Sequence, residues 1–219
     1  MPSESVEDYL KQTYKLQTES GHVSFSQLAE KLKVSAPSVT QMVKKLEKEG
    51  LIEYTPYHGV VLTEKGKKVA LEVIRHHRLL ELFLSEIMGY PIEKVDAEAE
   101  KLEHAISEDF EDMMSKRLGN PKVDPHGDPI PTKDGELSVH RYLPLAEASV
   151  GDPLVIKRVS DHDPDMVRYM HELGLLPNVR VRVLHKEPFE GPLKIQVDDR
   201  ELVVGYKLAS FIFVELIGG

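Results

Sequence analysis

Residues 24–62 constrain the fold more than any other stretch of this chain. Ser24-Phe-Ser-Gln27 has the form of a capping box, and Val23 and Leu28 are spaced as a hydrophobic staple, so a short helix opens there and runs to Leu32. Ser35 suits a second N-cap, and Pro37 is tolerated in the first turn that follows. Val39, Met42, Val43 and Leu46 then repeat at i, i+3, i+4 and i+7, one apolar stripe on a helix that stops at Gly50. Two short strands follow, Leu51–Tyr54 and Val60–Leu62, joined by the turn Thr-Pro-Tyr-His-Gly. A preceding helix over residues 5–18, with Val6, Tyr9, Leu10, Tyr14 and Leu16, completes the pattern of a winged helix-turn-helix. The second helix of such a unit reads DNA from near its N-terminus. Here it offers Ser35, Pro37, Ser38, Thr40, Gln41, Lys44, Lys45 and Lys48: hydroxyls and an amide for base edges, ammonium groups for phosphate.

The remainder divides into two parts. A long helix is expected from Glu64 to Met88, a break at Pro91, and a second helix from Ile92 to Leu118. Leu102, Ile106, Phe110 and Met113 on that second helix form an apolar face left over after its acidic face is assigned. Such a face is commonly buried against a second copy, so a homodimer is expected. The Gly- and Pro-rich stretch 119–140 reads as a linker. Beyond it, segments at 154–156, 179–184, 193–197, 201–204 and 211–214 read as strands, with a short helix at Asp165–Leu173, the pattern of a small barrel. The expected fold is mainly α with a C-terminal β domain: residues 1–72 a winged helix-turn-helix, 73–140 a helical dimerisation and metal-binding domain with linker, and 141–219 an SH3-like small barrel.

Charge is distributed along the same lines. The net charge of −9 argues against nucleic acid as a partner. Yet residues 1–75 hold 11 Lys/Arg against 10 Asp/Glu, whereas residues 76–140 hold 7 against 15. The first third can still meet phosphate, and the acid is concentrated in the middle. There are no cysteines, which excludes disulfides, thiolate metal sites and cysteine nucleophiles. No apolar run approaches the roughly 20 residues of a membrane span, and the polar, acidic start Met-Pro-Ser-Glu-Ser is unlike a secretory leader. A cytoplasmic protein with no membrane partner is expected.

Within the acidic third, Glu100-x-x-Glu103-His104 places two carboxylates and an imidazole on one helical face, with Asp96 one turn earlier. Side by side, the acids repel unless a cation sits among them. A solvated acidic face is the plain alternative. An enzyme that activates water on a Glu/Glu/His-bound metal is a rival class, but no separate general base or substrate cleft is legible.

Ser35-Ala-Pro-Ser-Val-Thr-Gln41, Lys44-Lys-Leu-Glu-Lys-Glu-Gly-Leu51 and Leu62-Thr-Glu-Lys-Gly66 resemble the diphtheria-toxin-repressor/manganese-transport-regulator family. Arg75-His-His-Arg-Leu-Leu-Glu81 and Ala99-Glu-Lys-Leu-Glu-His104 strengthen the likeness. His171-Glu-Leu-Gly-Leu-Leu-Pro177 and Glu187-Pro-Phe-Glu-Gly-Pro-Leu193 look like the SH3-like domain of its longer members. The resemblance implies a metal-activated, homodimeric repressor of metal-uptake genes that binds double-stranded operator DNA.

It also implies two metal sites: a principal one at Asp8, Glu100, Glu103 and His104, and a second at His77, Glu81, Asp124, His126 and Asp161. The chain departs from the family pattern in three ways. It lacks the Met and Cys of iron-responsive members, it has Lys11 where some manganese regulators have an acid, and it has Asp124 where other members have Cys. Oxygen and imidazole ligands favour Mn²⁺. Fe²⁺ stands as the alternative, Zn²⁺ or Co²⁺ can bind in vitro, and a winged-helix regulator sensing a small molecule is a further reading.

Overall fold

Capping side chains set the first boundaries in the computed structural model, in which residues 2–56, 59–138 and 140–217 are described. Helix α1 spans Glu4–Ser20, α2 Phe25–Leu32 and α3 Ala36–Lys48. Both halves of the capping box form at α2: the Ser24 hydroxyl accepts from the Gln27 N–H, and the Gln27 side chain accepts from the Ser24 N–H. Lys33, in the left-handed region at φ 53°, ends α2, so no glycine is used there. The Ser35 hydroxyl caps α3 through the Ser38 N–H, with Pro37 inside the first turn. Strands β1 (Ile52–Thr55) and β2 (Gly59–Leu62) pair antiparallel as the wing. Tyr57 and His58, between these strands in sequence, lie outside the described residues. Val6, Leu10, Leu28, Val39, Val43, Leu46, Ile52 and Val60 form one core, so the stripe read on α3 is the face this module buries.

Helix α4 runs over Glu64–Glu86 and α5 over Ile92–Leu102. The single helix expected to Leu118 is not formed. The chain turns through residues 103–107, and α6 begins only at Glu108 and ends at Arg117. Ser107 explains the restart: its hydroxyl accepts from the Phe110 N–H, its carbonyl from the Glu111 N–H, and Glu108, Asp109 and Glu111 give the new first turn the acids that a helix N-terminus favours. The four residues read as one apolar stripe are therefore not one stripe. Leu102 closes α5, Ile106 lies outside any helix, and Phe110 and Met113 are 46% and 68% exposed on α6. Among the described residues, no helix is long and apolar enough to cross a membrane.

The C-terminal region is an antiparallel six-stranded sheet. Its strands are β3 (Leu143–Pro144), β4 (Pro153–Val159), β5 (Arg180–Lys186), β6 (Leu193–Val197), β7 (Arg200–Val204) and β8 (Ile212–Leu216), in the order β3-β8-β4-β5-β6-β7. Helices α7 (Pro164–Leu173) and α8 (Tyr206–Ala209) are inserted between strands. Buried residues alternate along β6, the period-2 signature of a sheet with one face on the core. Val167 and Met170 of α7 share that core with Ile156, Val183 and Ile195.

The chain forms two compact units. The first holds Met1–His77, Lys101–Glu111 and Ile130–Leu137; the second holds Arg78–Glu100, Asp112–Pro129 and Ser138–Gly219.

Candidate metal centres

In the first unit, the turn that interrupts the expected helix carries Glu103 and His104, so these two residues are not on the helical face that their spacing predicts. His104 instead meets α1. Its Nε2 lies 2.9 Å from Asp8 Oδ1 and 3.4 Å from Glu103 Oε1, and its Nδ1 lies 2.6 Å from Glu7 Oε2. One ligand atom from each of Asp8, Glu103 and His104 falls within 4.8 Å of the others.

Burial lowers the His104 pKa, but the hydrogen bond to Glu7 and the charges of Glu103 and Asp8 outweigh it and raise the pKa overall. Both ring nitrogens thus face carboxylates, an arrangement an imidazolium satisfies. The donor set also fits a divalent cation in place of the Nε2 proton. Glu7 would then hold the Nδ1–H and fix the tautomer, the usual arrangement behind a ligating histidine.

Glu103 is fully buried and engaged through both oxygens. Oε1 accepts from the Nζ of Lys11, itself fully buried, and Oε2 lies 2.6 Å from His77 Nδ1. Burial raises the Glu103 pKa, but His77 and Lys11 outweigh it and lower the pKa overall. His77 is thus drawn to a residue expected in the other site. The neighbouring His76 contacts the Glu103 carbonyl through Nδ1 and Glu111 Oε2 through Nε2, and Arg75 binds the other Glu111 oxygen. Glu7, Lys11, His76 and Glu111 have no place among the ligands read from the sequence. Only the i, i+4 spacing of Glu7 and Lys11, with Asp8 between them, signals that one turn of α1 presents acid and base together. Glu100 is exposed on the last turn of α5, in the second unit.

In the second unit, Glu81, Asp124 and His126 come together, all buried, with ligand atoms within 4.8 Å of one another. The Asp124 side chain closes its own loop, because Oδ1 accepts from the N–H groups of His126 and Asp128, each at 2.9 Å. The loop is pinned to β4 where the Val159 N–H donates to the His126 carbonyl at 2.8 Å. Gly127, at φ +93°, makes this approach feasible: a Cβ there would lie 2.0 Å from the Lys157 carbonyl oxygen. His126 Nδ1 is buried without a hydrogen bond, 3.6 Å from Glu81 Oε1. Burial, then the Glu81 and Asp128 charges, push the Asp124 carboxyl well above its ordinary pKa against the pull of Arg78. A buried imidazole nitrogen without a hydrogen bond, beside the Glu81 carboxylate and in one cluster with Asp124, fits a divalent cation. Asp161 is not in this group; its carboxylate lies 3.7 Å from His162 Nδ1.

On α3, Ser35, Pro37, Ser38, Gln41, Lys44, Lys45 and Lys48 are exposed, and Thr40 is half-buried with its hydroxyl on the Ala36 carbonyl. Gln41, Lys44, Lys45 and Lys48 follow i, i+3, i+4 and i+7, so amide and ammonium groups line one solvent-facing stripe.

Three family models match along the chain: "Iron dependent repressor, N-terminal DNA binding domain" over residues 1–60, "Iron dependent repressor, metal binding and dimerisation domain" over 63–132, and "FeoA domain" over 143–216. The iron-dependent repressor IdeR of Mycobacterium tuberculosis (strain H37Rv) is 36% identical over 227 residues, covering 98% of each chain. This chain belongs to that family of metal-dependent transcriptional repressors. Among solved structures, a manganese-dependent transcriptional repressor in complex with manganese matches with a TM-score of 0.88 and 36% identity over 97% of this chain and 100% of the other. ScaR with bound Zn²⁺ matches with a TM-score of 0.77 and 36% identity over 99% and 100%. The family accounts for the winged helix, the helical dimerisation domain and the SH3-like sheet, and its members are DNA-binding regulators, not enzymes.

Proposed function

We propose that this protein is a Mn²⁺-activated, cytoplasmic, homodimeric repressor that binds double-stranded operator DNA and controls metal-uptake genes. The observation that carries the choice of metal is the donor chemistry. Asp8, Glu103 and His104, and likewise Glu81, Asp124 and His126, offer only carboxylate oxygen and imidazole nitrogen. Hard oxygen ligands suit Mn²⁺, whereas sulfur ligands favour softer metals.

In this reading residues 1–72 bind DNA, 73–140 dimerise and hold metal, and 141–219 form the accessory SH3-like domain. Glu100 joins Asp8, Glu103 and His104 as the principal ligand set. Glu81, Asp124 and His126 serve the second, with His77 and Asp161 as further ligands that metal binding would recruit. Ser35, Pro37, Ser38, Thr40, Gln41, Lys44, Lys45 and Lys48 face the major groove and its phosphates.

Metal bound between Asp8 and the Glu103–His104 turn would neutralise like charges and tie α1 to that turn. The chain's own groups prepare the contact. Glu7 orients His104, and His76 holds the backbone of Glu103. With α1 fixed, α3 is presented in one orientation, so metal and DNA binding are coupled and each tightens the other. Fe²⁺ is the second reading, supported by the 36% identity to an iron-dependent repressor. Zn²⁺ and Co²⁺ would bind in vitro on affinity alone.

The test is fluorescence anisotropy on an operator selected in vitro, titrated anaerobically with Mn²⁺, Fe²⁺ and Zn²⁺ at buffered free metal. Activation by Mn²⁺ within its cellular range is expected. Activation by Fe²⁺ but not Mn²⁺ would transfer the assignment to iron. Metal-independent binding would favour a small-molecule sensor.

A further inference from the structure

Lys11 is fully buried, an unusual place for an ammonium group, and its Nζ contacts Glu103 Oε1. That oxygen is also the Glu103 atom 3.4 Å from His104 Nε2, so it faces the Asp8–Glu103–His104 cluster. The other oxygen is held by His77 Nδ1 at 2.6 Å. Glu103 therefore reaches the cluster through an atom already engaged by a positive charge. An ammonium has three N–H donors and no lone pair, so Lys11 cannot become a ligand while charged.

We propose that Lys11 is a resident cation of the Asp8–Glu103–His104 cluster: it competes with a divalent ion for Glu103 and so sets the free-metal level at which the cluster fills. The inference rests on the reading of this cluster as a metal site. With metal absent, Lys11 satisfies Glu103 and keeps α1 against the turn. With metal present, two like-signed centres share one carboxylate oxygen, and the repulsion between them weakens binding. A role confined to holding α1 in place would have the opposite consequence: removing Lys11 would disorder Glu103 and weaken metal binding.

The test uses the full chain with the other cluster disabled by Asp124→Asn and His126→Gln, so that a single site titrates. Lys11→Met removes the charge; Lys11→Gln removes the charge but keeps a donor to Glu103, and serves if the methionine variant does not fold. Mn²⁺ affinity is measured by the EPR signal of free Mn²⁺, and thermal unfolding is followed with EDTA and with Mn²⁺. Both variants are expected to bind Mn²⁺ at least about tenfold tighter than the Lys11 parent. Their unfolding temperature should fall in EDTA, and their gain on adding Mn²⁺ should exceed the parent's. A variant that folds only with Mn²⁺ supports the proposal, as does binding that appears only once Lys11 is replaced. Unchanged or weaker affinity, with the parent still binding Mn²⁺, overturns the proposal and leaves the metal site standing. No Mn²⁺ binding in parent or variants overturns both.

Discussion

The Asp8–Glu103–His104 and Glu81–Asp124–His126 clusters use the same residue types and differ in what balances them. In the first, Glu103 is matched by Lys11 and His77, and His104 lies between two carboxylates. Its pKa values move toward charge: Glu103 down, His104 up. In the second, Asp124 moves the other way, and His126 Nδ1 is buried without a hydrogen bond. The first cluster is a compensated network that holds together without metal. The second pays for its burial with repulsion among carboxylates, which a proton on Asp124 or a bound cation would relieve. Donor identity alone does not separate them; the neighbouring charges do.

The largest effect expected from this contrast comes from Glu103→Ala. It removes the buried carboxylate that Lys11 and His77 contact, so apo stability should fall by about 3–5 kcal/mol in urea unfolding. Mn²⁺-dependent operator binding should be lost as well. A loss under about 1 kcal/mol would show that the first cluster is not compensated as described. Asp124→Asn should behave oppositely. The folded state disfavours the Asp124 charge, so the ionised group opposes folding above its unfolded pKa, and the amide should leave apo stability unchanged or higher. What it should lose is stabilisation by metal, about 2.7 kcal/mol at a hundred times the dissociation constant. Calorimetric scans with EDTA and with Mn²⁺ separate the two terms.

Gly127→Ala tests the second cluster through its backbone. A Cβ would meet the Lys157 carbonyl, and the positive φ adds strain, for a cost of about 2 kcal/mol. Because this loop carries Asp124 and His126, Mn²⁺ stoichiometry should fall while binding at Asp8, Glu103 and His104 persists. Unchanged stoichiometry would separate the loop from metal binding.

The elements of the winged helix were legible because caps and apolar period agree at Ser24, Ser35 and the Val39–Leu46 stripe, each a local signal. The long helix failed where local and longer-range signals conflict. Glu100-x-x-Glu103-His104 has helical spacing, but Ser107 with Glu108, Asp109 and Glu111 is itself a helix start, and the chain turns before it and begins α6 there. The acids and histidines of both clusters were visible in the sequence. Their partners were not, because Lys11–Glu103 and His77–Glu103 span 92 and 26 residues, and no periodicity reports a contact made by a turn.

The smallest effect belongs to Glu111, which bears on the first cluster through His76. Burial raises the Glu111 pKa, but hydrogen bonds from His76 and Arg75 outweigh it and lower the pKa to about 2. A carboxylate with a depressed folded pKa stabilises the fold above its unfolded value, near 4.5, and that contribution drains away as pH falls toward about 2. Glu111→Gln should therefore cost about 1.5–3 kcal/mol at pH 7, the worth of hydrogen bonds to a charged group. The difference from wild type should shrink between pH 4.5 and 2 as the wild-type carboxylate is protonated. If His76 transmits this to Glu103, the variant should also need more Mn²⁺ for half-maximal operator binding. A constant difference across that pH range would mean that Glu111 acts through packing and not through charge, and His76 would then hold the Glu103 turn without its help.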